Sequence, residues 1–144
     1  MTKNKSTSKF PVWGWIIMVV VLVAGASFFL TNNNTGGVQA LAKEITPEQA
    51  SQFQTDGALL LDVRESDEWS AGHIPGATLI PLGDLPSRLN EVPKDKKIVV
   101  VCRSGNRSAS GRDILLNAGY PQVTSMGGGM KLWTTAGLPV VTGP

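Results

Sequence analysis

The chain has 144 residues, 42% of them hydrophobic and 17% charged, with a formal net charge of +2. One cysteine excludes an internal disulfide framework and any cysteine-rich zinc or iron–sulfur site, and one histidine removes the paired-histidine zinc motifs. The charges are too few and too mixed in sign for a nucleic-acid binder working by a basic face, and the length suits one core of about 100–150 residues.

The chain opens with a basic tail, residues 1–11, carrying Lys3, Lys5 and Lys9 and no acid. From Val12 to Leu30 there are 19 residues without a charged side chain. As a helix rising about 1.5 Å per residue this run would be roughly 28 Å long, close to the hydrocarbon thickness of a bilayer. Trp13 and Trp15 sit near one end, where amphipathic rings favour the headgroup level, and no charge follows until Lys43. Residues 12–31 therefore read as a transmembrane anchor, with the N-terminus cytoplasmic and the remainder of the chain outside. The alternative is a secretory signal cleaved near Val38-Gln39-Ala40 or Ala40-Leu41-Ala42, which would release the rest. Residues 32–42, beginning Asn32-Asn33-Asn34-Thr35-Gly36-Gly37, read as a flexible linker.

Residues 43–144 carry ten Lys+Arg against eleven Asp+Glu, so the positive excess belongs to the tail. Here short strands alternate with helices. Glu44-Ile45 predicts a strand; Thr46, Pro47 and Gln49 then form a helix-start signature, with the helix running to about Gln54. Ala58–Val63 is a continuous apolar run of the kind buried on both faces of a sheet. A short acidic helix is expected at 66–70, a brief strand at Ala77–Ile80, and a strong β-branched strand at Ile98–Val101. Helices at 108–117 and 130–136, with a strand at 123–126 between them, complete an α/β domain with a mainly parallel five-stranded sheet. Ligands of such sheets bind beyond the carboxyl ends of strands, which directs attention to the loop after Val101.

That loop reads Cys102-Arg103-Ser104-Gly105-Asn106-Arg107-Ser108. Its backbone amides can form an anion-binding nest, the following helix adds a positive dipole end, and two arginines add permanent charge. Each feature favours thiolate over thiol, so Cys102 is expected to be a nucleophile rather than an inert buried hydrophobe. The segment resembles the active loop of thiosulfate-type members of the rhodanese family. The resemblance extends through Leu61-Asp62-Val63-Arg64, Glu68-Trp69, Gly72-His73-Ile74-Pro75-Gly76-Ala77, Gly127-Gly128, Trp133 and Gly137-Leu138-Pro139. It implies a rhodanese-like fold of the single-domain size, and sulfur transfer through a persulfide on Cys102 without metal or cofactor. A small anionic donor such as thiosulfate would lie in a loop built by Arg103, Ser104, Gly105, Asn106, Arg107 and Ser108. Cyanide or a thiol would accept the sulfur.

Two rivals bear on this reading. Phosphatases and arsenate reductases of the same fold use a loop one residue longer, ending in Arg six positions after Cys; here that position is Ser108, and Arg107 stands five after Cys102. A sulfur-carrying or redox-sensing module that docks on another protein would share the loop and is not distinguished by it. Asp62, Arg64 and Trp69 are candidate supporting groups. For Asp62, pairing with Arg64 or capping the next turn is the simpler role. His73 reads as a turn histidine held by backbone hydrogen bonds, Trp133 as core, Gly127-Gly128-Gly129 as a tight strand-to-helix turn, and Lys94–Lys97 as a solvated turn.

Overall fold

The computed structural model describes residues 40–144. The basic tail, the expected anchor and most of the linker lie outside the described residues. Among the described residues no helix is long and apolar enough to cross a membrane.

Among the described residues five strands and four α-helices follow in the order β1 (Glu44–Ile45), α1 (Pro47–Thr55), β2 (Leu59–Asp62), α2 (Ser66–Ala71), β3 (Thr78–Leu79), β4 (Ile98–Val101), α3 (Asn106–Asn117), β5 (Val123–Met126) and α4 (Gly129–Thr135). The strand order is β1-β5-β4-β2-β3, and every neighbouring pair is parallel. Both edges are two-residue strands, short enough to offer little unpaired backbone to another chain.

The side-chain period of two divides the core. Leu61, Ile98 and Val100 face Leu115 of α3, while Leu60, Val99 and Val101 face Ala50 of α1 and Met130 and Trp133 of α4. Fully burying one such aliphatic side chain stabilises by about 1.5–3 kcal/mol. β2 and β4, apolar towards both layers, are thus the firmest part of the sheet, and β4 ends at the candidate nucleophile.

Local chemistry explains most boundaries. Thr46 and Gln49 form the expected capping box, each side chain taking the other residue's backbone N–H, and Pro47 occupies the first helical position. α3 begins at Asn106, two residues earlier than its expected start at Ser108. The reason is Gly105, whose left-handed φ of 104° turns the chain directly into the helix. Between β3 and β4 two unforeseen single-turn 3₁₀ helices occur at Leu85–Ser87 and Leu89–Glu91. They are too short to leave a periodic signal, but Leu85 is fully buried and the Tyr120 hydroxyl donates to the Leu89 carbonyl. The linker's far end is also engaged: the Ala42 carbonyl accepts from the Thr124 hydroxyl at 2.7 Å.

Candidate active site

Cys102 follows the last residue of β4, and the chain from Cys102 to Gly105 curls over its sulfur before entering α3. The Gly105 amide donates to Sγ at 3.1 Å, and the Ser108 hydroxyl lies 3.6 Å from it while donating to the Gly105 carbonyl at 2.8 Å. Burial pushes the Cys102 thiol up. The Ser108 hydroxyl and the backbone amides of Ser108, Ser104 and Gly105 more than offset this, and the thiol lies below its ordinary value. The activating groups are loop donors, as the sequence led one to expect of a nest, and they act at a sulfur that is almost wholly covered.

The loop is shaped from outside by the start of α4. The Met130 and Lys131 amides donate to the Cys102 and Arg103 carbonyls at 2.8 and 3.1 Å. Two loop carbonyls are thereby tied to α4, leaving amides for the sulfur. Gly129 makes this approach sterically feasible: with φ of 56°, a Cβ there would sit 2.2 Å from the Cys102 carbonyl oxygen. The tight turn expected at the three glycines 127–129 is present, and it also brings Gly129 against Cys102, 27 positions earlier.

The charged residues near the loop are tied to one another. Arg107 places both terminal nitrogens on the Glu68 carboxylate, at 2.7 and 2.8 Å. The Arg107 hydrogen bond holds the Glu68 carboxyl at about 2, well below the usual range. Arg64 donates to both Asp62 oxygens, at 2.6–3.0 Å, and to the Glu68 and Gly72 carbonyls at 3.1 and 2.9 Å. The Asp62–Arg64 pair is buried, and it fastens the end of β2 to Glu68 within α2 and to Gly72 just past it. Asp62 thus pairs with Arg64, the simpler of its expected roles.

Trp69 is half-buried and stacks on His73 with ring centroids 3.6 Å apart. The His73 Nδ1 lies 3.0 Å from the Trp69 carbonyl, and its backbone exchanges two hydrogen bonds with Val141. His73 is therefore a turn residue held as expected. Trp133 is core, its indole N–H on the Pro139 carbonyl at 2.9 Å. Arg103, Ser104 and Asn106 are exposed. Arg103 rims a shallow depression of about 300 Å³ shared with Arg64, Glu68, Met130, Lys131 and Val140. A larger one, about 550 Å³, lies by Glu44, Thr46, Glu48, Gly127 and Leu132 and includes no residue of the Cys102–Ser108 loop.

Sequence reasoning missed Glu68 and Gly129 as site residues. Glu68 stands in an acidic first turn of α2, where a carboxylate is already explained by the helix dipole, and its partner is 39 positions away.

The rhodanese-like domain profile matches residues 46–136, most of the described chain. The chain belongs to the rhodanese-like family. Among its relatives is a sulfurtransferase of Allochromatium vinosum, 39% identical over 70% of this chain and 96% of that protein. The thiosulfate sulfurtransferase GlpE of Pseudomonas syringae is 38% identical over 65% of this chain and 88% of its own length. In three dimensions, a rhodanese-related protein from Thermoplasma volcanium superposes with a TM-score of 0.65 at 31% identity, covering 69% of this chain and 98% of that one. The rhodanese-like fold and sulfur transfer in general are thus common ground between this chain and its relatives.

Proposed function

We propose that the domain moves a sulfane sulfur from thiosulfate, or from a persulfide, to a thiophilic acceptor through a persulfide on Cys102. The observation carrying this reading is the Cys102 sulfur beneath loop amides, in a ring closed by Arg107 five positions on. A ring of this length suits one sulfur atom better than a tetrahedral oxyanion. The Cys102 thiolate attacks the outer sulfur of thiosulfate. The S–S bond of the donor breaks with its electron pair leaving on sulfite, and a cysteine persulfide anion remains. The Gly105 amide and its neighbours hold that charge where it develops. Cyanide or a thiolate then takes the terminal sulfur and regenerates the Cys102 thiolate, so two half-reactions share one enzyme form and ping-pong kinetics follow. Mass spectrometry after thiosulfate treatment tests the step. Gain of about 32 Da on Cys102, lost again with cyanide, is the expected result; an unmodified cysteine overturns it.

A tether completes the reading. The charge-free run from Val12 to Leu30 behind three lysines supports a membrane anchor with the rhodanese domain outside the cytoplasm. Protease added to intact spheroplasts should then digest residues 43–144, and protection until lysis would reverse the orientation.

A further inference from the structure

A guanidinium beside a nucleophilic cysteine is the natural fork for a tetrahedral oxyanion, since its terminal nitrogens match two anion oxygens. In this chain the fork of Arg107 is already filled. Glu68 takes both terminal nitrogens at 2.7 and 2.8 Å, and the two side chains are only 31% and 24% exposed. Glu68 is itself held in place: its carboxylate receives the Glu65 amide at 3.3 Å, and its carbonyl receives Arg64. Arg64 is anchored in turn by buried Asp62.

We propose that Glu68 is a specificity-setting positioning residue: by occupying Arg107 it denies oxyanions a grip at the loop, leaving the amides to a single sulfur. The inference rests on the sulfur-transfer reading and extends it to selectivity. Sulfite, the leaving group, and inorganic phosphate are both excluded from tight binding by the same pair. Sulfite can then depart before the acceptor arrives. Because Glu68 is ionised throughout the ordinary pH range, the exclusion does not relax with pH.

Glu68→Gln in the full chain is the test, because Gln preserves the reciprocal capping contact with Glu65 while removing the charge. The charged groups around the Arg107–Glu68 pair and the loop are Arg107, Glu68, Glu65, Arg103, Lys131 and the mutually paired Asp62 and Arg64, and only Glu68 changes. Phosphate should now protect Cys102 from iodoacetamide, and sulfite inhibition should tighten, each by roughly tenfold. The KM for thiosulfate and kcat should fall together, as the freed arginine holds donor and product alike. The alkylation midpoint should move to lower pH. Adding Arg107→Gln should cancel the gained phosphate protection, and Arg107→Gln alone should move the midpoint upward by leaving Glu68 uncompensated. A merely structural latch would instead lower the melting temperature in both single variants and leave phosphate protection and the midpoint unchanged. That result overturns the proposal. If Glu68→Gln does not fold, the Arg107→Gln midpoint decides: an upward shift supports the proposal, and no shift overturns it. Phosphate protection needs no turnover, so this test stands apart from the persulfide measurement.

Discussion

The two sets of polar groups around the Cys102 loop are built by different means. One set is the Ser108 hydroxyl and the backbone amides of the loop, braced by the first turn of α4 through the Met130 and Lys131 N–H groups. The other is charged side chains, Asp62 with Arg64 and Glu68 with Arg107, each cation matched by a carboxylate. The Ser108 hydroxyl and the loop amides act on the sulfur and lower its pKa; the charged set is internally neutralised and chiefly ties β2, α2 and α3 together. The contrast teaches that reactivity near an arginine need not come from the arginine. Fixed dipoles, costing no reorganisation, are enough to favour a thiolate in a covered position.

The comparison can be broken from either side. The largest effect is expected at the sulfur itself. Cys102→Ser should lower thiosulfate:cyanide sulfur transfer by more than about a thousandfold with an unchanged melting curve, because a hydroxyl is scarcely ionised near neutrality. Substantial residual turnover would remove Cys102 from its role. Next comes the charged set. Asp62→Ala strands the buried Arg64 guanidinium and should cost about 3–5 kcal/mol of stability in urea unfolding. The alkylation rate of Cys102 in the molecules still folded should stay close to the wild-type value. A large change there would mean that the charged set also tunes the sulfur.

Gly129→Ala should act on both properties. Its methyl would meet the Cys102 carbonyl at 2.2 Å in a left-handed conformation, so roughly 2–4 kcal/mol of stability should be lost. The alkylation midpoint should rise as the loop amides are displaced. A stability loss without a midpoint change would show that α4 supports the fold but not the loop geometry.

The smallest effect is in acid. Folding depresses the Glu68 pKa to about 2, so the stability it contributes is complete above the unfolded carboxyl value, about 4.3. That contribution is lost as pH falls from there through about 2. The pair is partly exposed and screened, so the loss should amount to only about 1 kcal/mol. Glu68→Gln should flatten that part of the stability–pH curve; an unaltered slope would leave the Arg107 pair without thermodynamic weight.

What could be read beforehand was whatever lies close along the chain. The Thr46–Gln49 capping box, the Asp62–Arg64 pair and the Cys102 loop are each complete within seven residues, so their partners stand beside them in the sequence. The central strands were equally clear, because Leu59–Asp62 and Ile98–Val101 are apolar towards both layers. Long-range partners were not legible. Glu68 looked like any acid in a first helical turn, and nothing in Gly127-Gly128-Gly129 names Cys102 as the group it approaches. Arg107 looks like a donor-binding charge for the same reason: its charge is visible in sequence, but its engagement by Glu68 is not. The early start of α3 leaves no signal in the sequence because a left-handed glycine takes the place usually held by a serine or threonine.

β1 has a mechanical consequence. It is joined to β5 at only two register pairs, and the Lys43 carbonyl just before it is gathered by Arg112 at 3.0 Å and the Ser125 hydroxyl at 3.1 Å. Any pull transmitted along residues 1–39 arrives at this edge strand first. β4, whose end leads into Cys102, is two strands inward, between β5 and β2. Tension should therefore peel β1 and its carbonyl clasp from the sheet while β4 stays paired on both sides, so a load on the N-terminal segment would be dissipated before it reached the sulfur.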